Sequence, residues 1–227
     1  MSRGYEQYCP IAKGSEILAE RWTPLIVRNL SLGCHSFSEL QQGCPRMSST
    51  LLAQRLRSLE RDGVVERVPH PRGRGSRYYL TPAGHELVEV VKSLGAWGAR
   101  WLELGPRDYD PSAVLWAWTR LIDVDRLPPH RVVVRFDLSD QGGRRYWMLL
   151  ERPSVEVCLR DPGLDEDLVV TTDSRTLTEY HRGRLPWAAA LRSGRLTVDG
   201  RRDLARALPT WGGRSSFASV RPARPHP

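Results

Sequence analysis

The chain has 227 residues, of which 26% are charged and 40% hydrophobic, and its net charge is +8. This length fits one large domain or two ordinary ones, and the composition excludes a wholly disordered protein. No stretch approaches the ~18 apolar residues of a membrane helix, and the N-terminus lacks the apolar core of a signal peptide. The four scattered cysteines form no C-x-x-C pair, so we expect a cytoplasmic protein with reduced thiols.

Three short helices are predicted first. Residues 10–21 favour one helix, and a second begins at Thr23-Pro24, with Thr23 as N-cap, and ends at Gly33. Ser36 and Glu39 then have the spacing of a capping box, which predicts a third, very short helix from Phe37.

A longer amphipathic helix is predicted from Ser48 to about Asp62, with its leucines on one face. A short helix, a tight turn and a longer helix form the layout of a helix-turn-helix, whose second helix enters the major groove of DNA. The face opposite the leucines is small or hydrogen-bonding, and Gln and Arg can read base edges. A three-helix unit that binds no DNA is the alternative. The predicted DNA-contacting residues of this segment are Arg46, Ser48, Ser49, Thr50, Gln54, Arg55 and Arg57.

A β-hairpin with an arginine-rich tip is predicted next, from strands at 64–68 and 77–80. Such a wing reaches the phosphate backbone or the minor groove, so Arg72, Arg74 and Arg77 are further candidates for DNA contact. Residues 44–77 hold eight arginines and three acids, a net charge of +5, whereas residues 1–105 carry +4 in all. The positive charge of this half therefore lies on the predicted helix-and-wing surface.

A long helix is predicted after the wing, from Thr81-Pro82 to about Leu104, with a wide apolar stripe. Such a stripe must pack against another surface. Because operators with two-fold symmetry are read by symmetric dimers, we expect this helix and the N-terminal region to form a homodimer.

Residues 8–104 resemble the HxlR-type winged-helix transcription regulators of bacteria. The resemblance is carried, in order, by the segments YCPIAK, RWTPLIVRNL, FSELQQG, SSTLLAQRLRSLERDGVVER and SRYYLTPAGHEL. It implies a dimeric DNA-binding repressor or activator, with the 48–62 helix in the major groove and the 69–77 loop as wing. It also aligns Cys9 with a cysteine that some members use as a redox or electrophile sensor; a buried structural cysteine is the alternative.

The second half predicts an α+β domain. A linker helix lies within residues 106–129, and residues 130–213 then show five strands and three helices, which favours an antiparallel sheet with helices on it. Residues 214–227 are proline-containing and are predicted to be a disordered tail.

This half is similar to the sterol-carrier-protein type 2 fold, through residues 181–211 (HRGRLPWAAALRSGRLTVDGRRDLARALPTW). The resemblance implies an apolar cavity for a lipid-like or aromatic effector; the alternative is that its lining residues are simply core. The candidate effector-binding residues are Leu168, Val170, Leu177, Tyr180, Trp187, Leu191, Leu196 and Trp211.

No catalytic, metal-binding or cofactor-binding motif occurs in the sequence, so we expect neither an enzyme nor a cofactor. Three hypotheses stay open. The first is a regulator of transcription, acting as a repressor, that is controlled by an apolar small molecule. The second is a redox-switched regulator that senses through Cys9. The third is a lipid-binding module with vestigial DNA binding.

Overall fold

The computed structural model describes residues 4–70 and 75–223. The chain divides into two compact units, Met1–Ala96 and Trp97–Pro227, so that the boundary falls within one long helix. Each unit is described separately below. Among the described residues, no helix is long and apolar enough to cross a membrane.

The N-terminal unit contains helices, a hairpin and a further helix, in the predicted order. Its elements are α1 (Pro10–Leu18), α2 (Thr23–Ser31), α3 (Phe37–Gln42), α4 (Ser49–Arg61), β1 (Val65–Pro69), β2 (Ser76–Leu80) and the start of α5 (Pro82–Trp101). The end of α1, at Leu18 and not at residue 21, and the start of α2 differ from the prediction. Trp22, with a left-handed φ of 80°, caps α2, and Thr23 lies inside the helix and is buried.

The helices of this unit are joined by an apolar core. Ile26, Val27, Leu40, Leu52 and Leu56 are at most 1% exposed, and they come from α2, α3 and α4. The predicted capping box at the start of α3 is present, since Ser36 and Glu39 each bond the backbone of the other. These contacts hold the three helices together and leave the opposite face of α4 to solvent.

The hairpin pairs β1 and β2 antiparallel, with Val65 opposite Leu80 and Pro69 opposite Ser76. Helix α5 begins directly against it, because a Cβ on Gly84 would lie 2.2 Å from the carbonyl oxygen of Val64. The tip of the predicted wing, residues 71–74, lies outside the described residues, and Arg72 and Arg74 lie there with it.

The C-terminal unit is an α+β domain built on one five-stranded sheet. Its further elements are α6 (Pro111–Leu121), β3 (Val132–Leu138), β4 (Arg144–Glu151), β5 (Ser154–Cys158), β6 (Leu168–Thr172), α7 (Ser174–His181), α8 (Trp187–Arg192), β7 (Leu196–Gly200) and α9 (Arg202–Ala207). The strand order is β5-β4-β3-β6-β7.

The expectation of an antiparallel sheet is wrong, because β3 pairs with β6 in parallel. The chain leaves β5 at one edge, crosses to the other side of β3 and enters β6 in the same direction as β3. Asp167 secures this entry: its backbone N–H donates to the carbonyl of Val133 (2.9 Å), and its carboxylate accepts from the N–H of Val133 (2.9 Å). The sheet is therefore mixed.

Two segments predicted to lie outside this domain belong to it. Helix α6, expected to be a linker, is part of the core, since Leu115 and Trp118 are at most 2% exposed. Residues 214–223, part of the tail expected to be disordered, are hydrogen-bonded to it: the N–H of Ser215 donates to the carbonyl of His181 (2.8 Å), and the N–H of Ala223 donates to the carbonyl of Arg100 (2.9 Å).

Candidate nucleic-acid interface

The turn between α3 and α4 is held from two sides. The side-chain amide of Gln41 donates to the carbonyls of Cys44 and Met47, across the turn itself. From α2, Arg28 donates to the carbonyl of Gly43 (3.2 Å), and the amide of the fully buried Asn29 lies 3.4 Å from the sulfur of Cys44. The position of α4 is thus fixed by hydrogen bonds as well as by its buried leucines.

The outward face of α4 matches the face predicted from the sequence. Ser49, Thr50, Gln54 and Arg57 are exposed and lie on consecutive turns of the helix, opposite Leu52 and its buried neighbours. Ser48 is the N-cap, and its hydroxyl accepts from the N–H of Leu51 (3.2 Å). Small side chains at the start of this face would let the helix approach base edges closely.

Arg55 differs from the other predicted contact residues. Its guanidinium forms an ion pair with Glu20, which lies between α1 and α2, and its side chain is only 17% exposed. No local pattern indicates this pair, because Glu20 lies 35 positions away along the chain. The structure therefore places Arg55 at the flank of α4, engaged with its own domain.

Basic residues continue from α4 onto the hairpin. Arg46 is exposed just before α4, and Arg77 is exposed on β2. Sequence reasoning missed Arg67, which is exposed on β1 and donates from Nε to the hydroxyl of Ser76 on the facing strand (2.8 Å). The signal in the sequence was its place on β1, the strand that pairs with the one carrying Arg77.

The hairpin is also joined to the helix-turn-helix. The N–H of Tyr78 donates to the carbonyl of His35 (2.8 Å), and the ring of His35 packs on that of Tyr79, with centroids 4.5 Å apart. Because His35 directly precedes the cap of α3, this contact fixes the hairpin relative to the helices.

Comparison with known proteins matches the sequence of this region to a family. The HxlR-like helix-turn-helix family matches residues 17–106. The transcriptional regulator YvaP of Bacillus subtilis is 35% identical over 100 residues, which are 43% of this chain and 92% of YvaP. The chain belongs to the HxlR family.

Other transcriptional regulators match a similar share of the chain. The regulator YtfH of Escherichia coli is 34% identical over 94 residues, which cover 41% of this chain and 75% of YtfH. The solved structure of the reduced form of the regulator YodB from B. subtilis is 32% identical, covers 44% of this chain and 99% of its own, and has a TM-score of 0.37. Each of these three matches covers less than half of this HxlR family member.

The residues predicted to bind an effector lie mostly in the core of the C-terminal unit. Seven of the eight are at most 7% exposed, and Leu191 is 41% exposed. Tyr180 contacts Trp118 and Trp187 at ring-centroid distances of 5.6 and 4.9 Å. The indole N–H groups of both tryptophans are buried and have no hydrogen-bond partner among the described residues.

The candidate sensor Cys9 lies at the N-cap of α1, where its carbonyl accepts from the N–H of Lys13 (3.0 Å). Its thiol is partly exposed and free, whereas Cys34 and Cys44 are buried. Burial raises the pKa of the Cys44 thiol, which keeps it protonated and unreactive. No metal-binding group of three or more His, Cys, Asp or Glu side chains occurs within residues 4–70 and 75–223.

Proposed function

We propose that this HxlR family member is a bacterial transcription regulator that binds double-stranded DNA, with α4 in the major groove and the hairpin on the backbone. The carrying observation is the fixed position of α4, whose exposed face presents Ser49, Thr50, Gln54 and Arg57 and is followed by the exposed Arg67 and Arg77 of the hairpin. We assign this activity to residues 1–105 and expect it to operate in the cytoplasm.

Two classes of contact follow from the chemistry of this face. Gln54 and Arg57 can form bidentate bonds to adenine and guanine, so they would read sequence. Arg46 and Arg77, which flank α4, would bind phosphates and add affinity for every sequence; we extend this role to Arg72 and Arg74.

Selection of bound fragments from the genome of the source organism, followed by fluorescence anisotropy on the recovered site, tests this proposal. We expect Gln54→Ala to weaken binding to that site about tenfold while changing binding to unrelated DNA little. Lys92→Gln, which removes a positive charge on α5, is the control and should bind as the wild type does. Failure to bind any fragment at low salt would refute the proposal.

We further propose that the protein acts as a homodimer through α5 and the N-terminal region. Val90, Leu94, Trp97 and Trp101 recur at helical spacing, and each is about half exposed. Exposed apolar stripes of this kind mark protein interfaces. Sedimentation velocity should give a dimer of the 25.8 kDa chain and a monomer for Leu94→Arg, with Lys92→Gln again as control.

The C-terminal unit is proposed to control DNA binding, by repression that an effector relieves. As the sterol-carrier resemblance implies, an apolar effector would bind among residues such as Tyr180 and Trp187. The indole N–H groups of Trp118 and Trp187, which both contact Tyr180, support this, because they have no hydrogen-bond partner among the described residues and could donate to a ligand oxygen. Titration with a fatty acid tests it through tryptophan fluorescence, and an unchanged spectrum contradicts it. A lipid-binding module with vestigial DNA binding would give a fluorescence change and no DNA binding.

Redox control through Cys9 is a second candidate, favoured by the partly exposed thiol at the start of α1. Peroxide or diamide should then release wild-type protein from DNA and leave Cys9→Ser bound. Release of both proteins alike would exclude Cys9 as the sensor.

A further inference from the structure

The C-terminal unit contains an open pocket of about 620 Å³ that the predicted effector residues do not line. One wall is α7, and the others come from residues 103–109, from the turn after α7 and from Arg195. Four arginines line it: Arg175, Arg182, Arg184 and Arg195. Its volume lies within the range of small-molecule sites.

The acidic residues of this pocket are mostly engaged within the protein. The carboxylate of Asp173 caps α7 and accepts from both the N–H and the hydroxyl of Thr176, each at 2.7 Å. Glu179 forms an ion pair with Arg182 (3.3 Å). The third acid, Glu103, is exposed. Among the described residues, Arg182 forms an ion pair with a carboxylate and the other three arginines of the pocket do not.

Arg184 is the most constrained of these arginines. One terminal nitrogen donates to the carbonyl of Ala99 (3.4 Å), but its Nε is buried and has no hydrogen-bond partner in the part of the chain that the structure describes. Burial, together with the positive charge of Arg182, lowers the pKa of the Arg184 side chain. The charge of Glu179 opposes this shift, and an anion beside the terminal nitrogens of Arg184 would oppose it further.

The rest of the lining is suited to a flat apolar body. The guanidinium of Arg175 lies over the ring of Tyr109, 5.9 Å from its centroid. Leu104 and Leu185 supply apolar surface. The exposed side chain of Arg195 donates from Nε to the hydroxyl of Ser193 (3.2 Å), and its terminal nitrogens have no hydrogen-bond partner among the described residues, so they can face a ligand.

We propose that this pocket binds a small organic carboxylate, with the carboxylate held by Arg184 and Arg195 and the apolar body against Tyr109, Leu104 and Leu185. A guanidinium matches a carboxylate in a bidentate geometry, and the surplus of one positive charge among the seven charged side chains suits a monoanion. Binding stands on the pocket alone; only its role as an effector rests on the proposed function.

Equilibrium dialysis of the full chain with labelled benzoate tests the site, with benzamide as the neutral molecule of the same shape. We expect saturable binding of benzoate at millimolar concentration or below, and at least about tenfold weaker binding of benzamide, since a charge-assisted bond contributes about 1.5–3 kcal/mol. Inorganic phosphate should bind more weakly than benzoate, because it has no apolar body.

Variants then locate the bound molecule. Arg184→Gln and Arg195→Gln should each weaken benzoate binding about tenfold, whereas Arg160→Gln, the same charge change at an exposed site outside the pocket, should not. Because Arg184 is partly buried, its variant is checked by thermal unfolding; the exposed Arg195 keeps the test decisive if that variant fails to fold. The proposal is overturned by equal binding of benzamide, tighter binding of phosphate, no saturable benzoate binding up to 10 mM or wild-type affinity in both variants.

The effector role has its own readout. Benzoate at saturation should change the affinity of the wild type for its DNA site at least about threefold, and Arg195→Gln should lose this response while still binding DNA. Benzoate binding with unchanged DNA affinity would refute the effector role and leave the site. Loss of DNA binding under all conditions would refute the proposed function and leave benzoate binding measurable.

Discussion

Arg55 on α4 is ion-paired with Glu20, which lies between α1 and α2, so this arginine of the candidate recognition helix is bound to its own domain. The pair is partly buried, with side-chain exposures of 17% for Arg55 and 38% for Glu20. It connects the outer flank of α4 to the start of α2 and thereby adds to the contacts that fix the helix.

We therefore predict that Arg55→Gln affects stability more than DNA recognition. Partly exposed pairs contribute about 1 kcal/mol or less, so the free energy of unfolding should fall by that amount. DNA affinity should change less than about threefold, in contrast to the tenfold loss expected for Gln54→Ala. Urea unfolding and fluorescence anisotropy measure the two effects.

Glu20→Gln is the companion variant. It keeps the shape of the partner, removes a negative charge beside the interface and releases Arg55, so DNA should bind a few-fold more tightly at low salt. A tenfold loss of affinity in Arg55→Gln with unchanged stability would show that the ion pair opens on DNA.

The hairpin arginine Arg77 should act through phosphate and not through bases. We expect Arg77→Gln to weaken binding to specific and unrelated DNA alike, and to reduce the slope of log affinity against log salt by about 1. Lys92→Gln should leave both the affinity and the slope unchanged. An effect confined to the specific site would instead indicate base recognition by Arg77.

The helices and strands of each unit could be predicted from local signals, but several contacts between elements of the same unit could not. Ser36 and Glu39 predicted the start of α3, because a capping box is complete within four residues. Arg55 could be placed on α4 but not paired, since its partner is remote in sequence. Likewise, the strand at β3 could be predicted from its own residues, but its parallel pairing with β6, 30 residues away, could not.

In the C-terminal unit, burial distinguishes a packed core from an apolar cavity, which the sequence alone could not do. Tyr180 and Trp187 have the composition of both a core and an apolar cavity, and the structure packs them at 4.9 Å within the core. The open pocket could not be predicted, because its residues Arg175, Arg184 and Arg195 form no motif along the chain.

Gly84 should be essential for joining α5 to the hairpin. In Gly84→Ala the new Cβ would lie 2.2 Å from the carbonyl oxygen of Val64 and 3.0 Å from a methyl carbon of Leu80, and neither can move freely. We expect the free energy of unfolding to fall by about 2–4 kcal/mol. Gly98→Ala, in the same helix with its nearest neighbour at 3.9 Å, should be neutral or stabilising by up to about 1 kcal/mol. Equal effects in the two variants would refute the close approach.

The stability of the C-terminal unit should depend on pH through His181. Its ring Nδ1 lies 2.7 Å from the carbonyl oxygen of Gly213, which requires a proton on that nitrogen, and burial lowers the pKa of the ring below its ordinary value of 6.5. The folded state therefore binds fewer protons than the unfolded state once the pH falls below 6.5. Stability is then full above that pH and declines as the pH falls toward the lowered pKa.

Urea unfolding at pH 7.5 and pH 5.5, where most carboxylates stay ionised, measures this decline. His181→Asn can still donate an amide N–H toward Gly213 but cannot titrate, so the variant should lose less stability than the wild type between the two pH values. His130→Asn, at an exposed site in the same unit, should follow the wild type. If the stability of His181→Asn declined in parallel with that of the wild type, the pH dependence would have to come from other groups. The neutral ring of His181 would then contribute only its hydrogen bond, which joins α7 to Gly213.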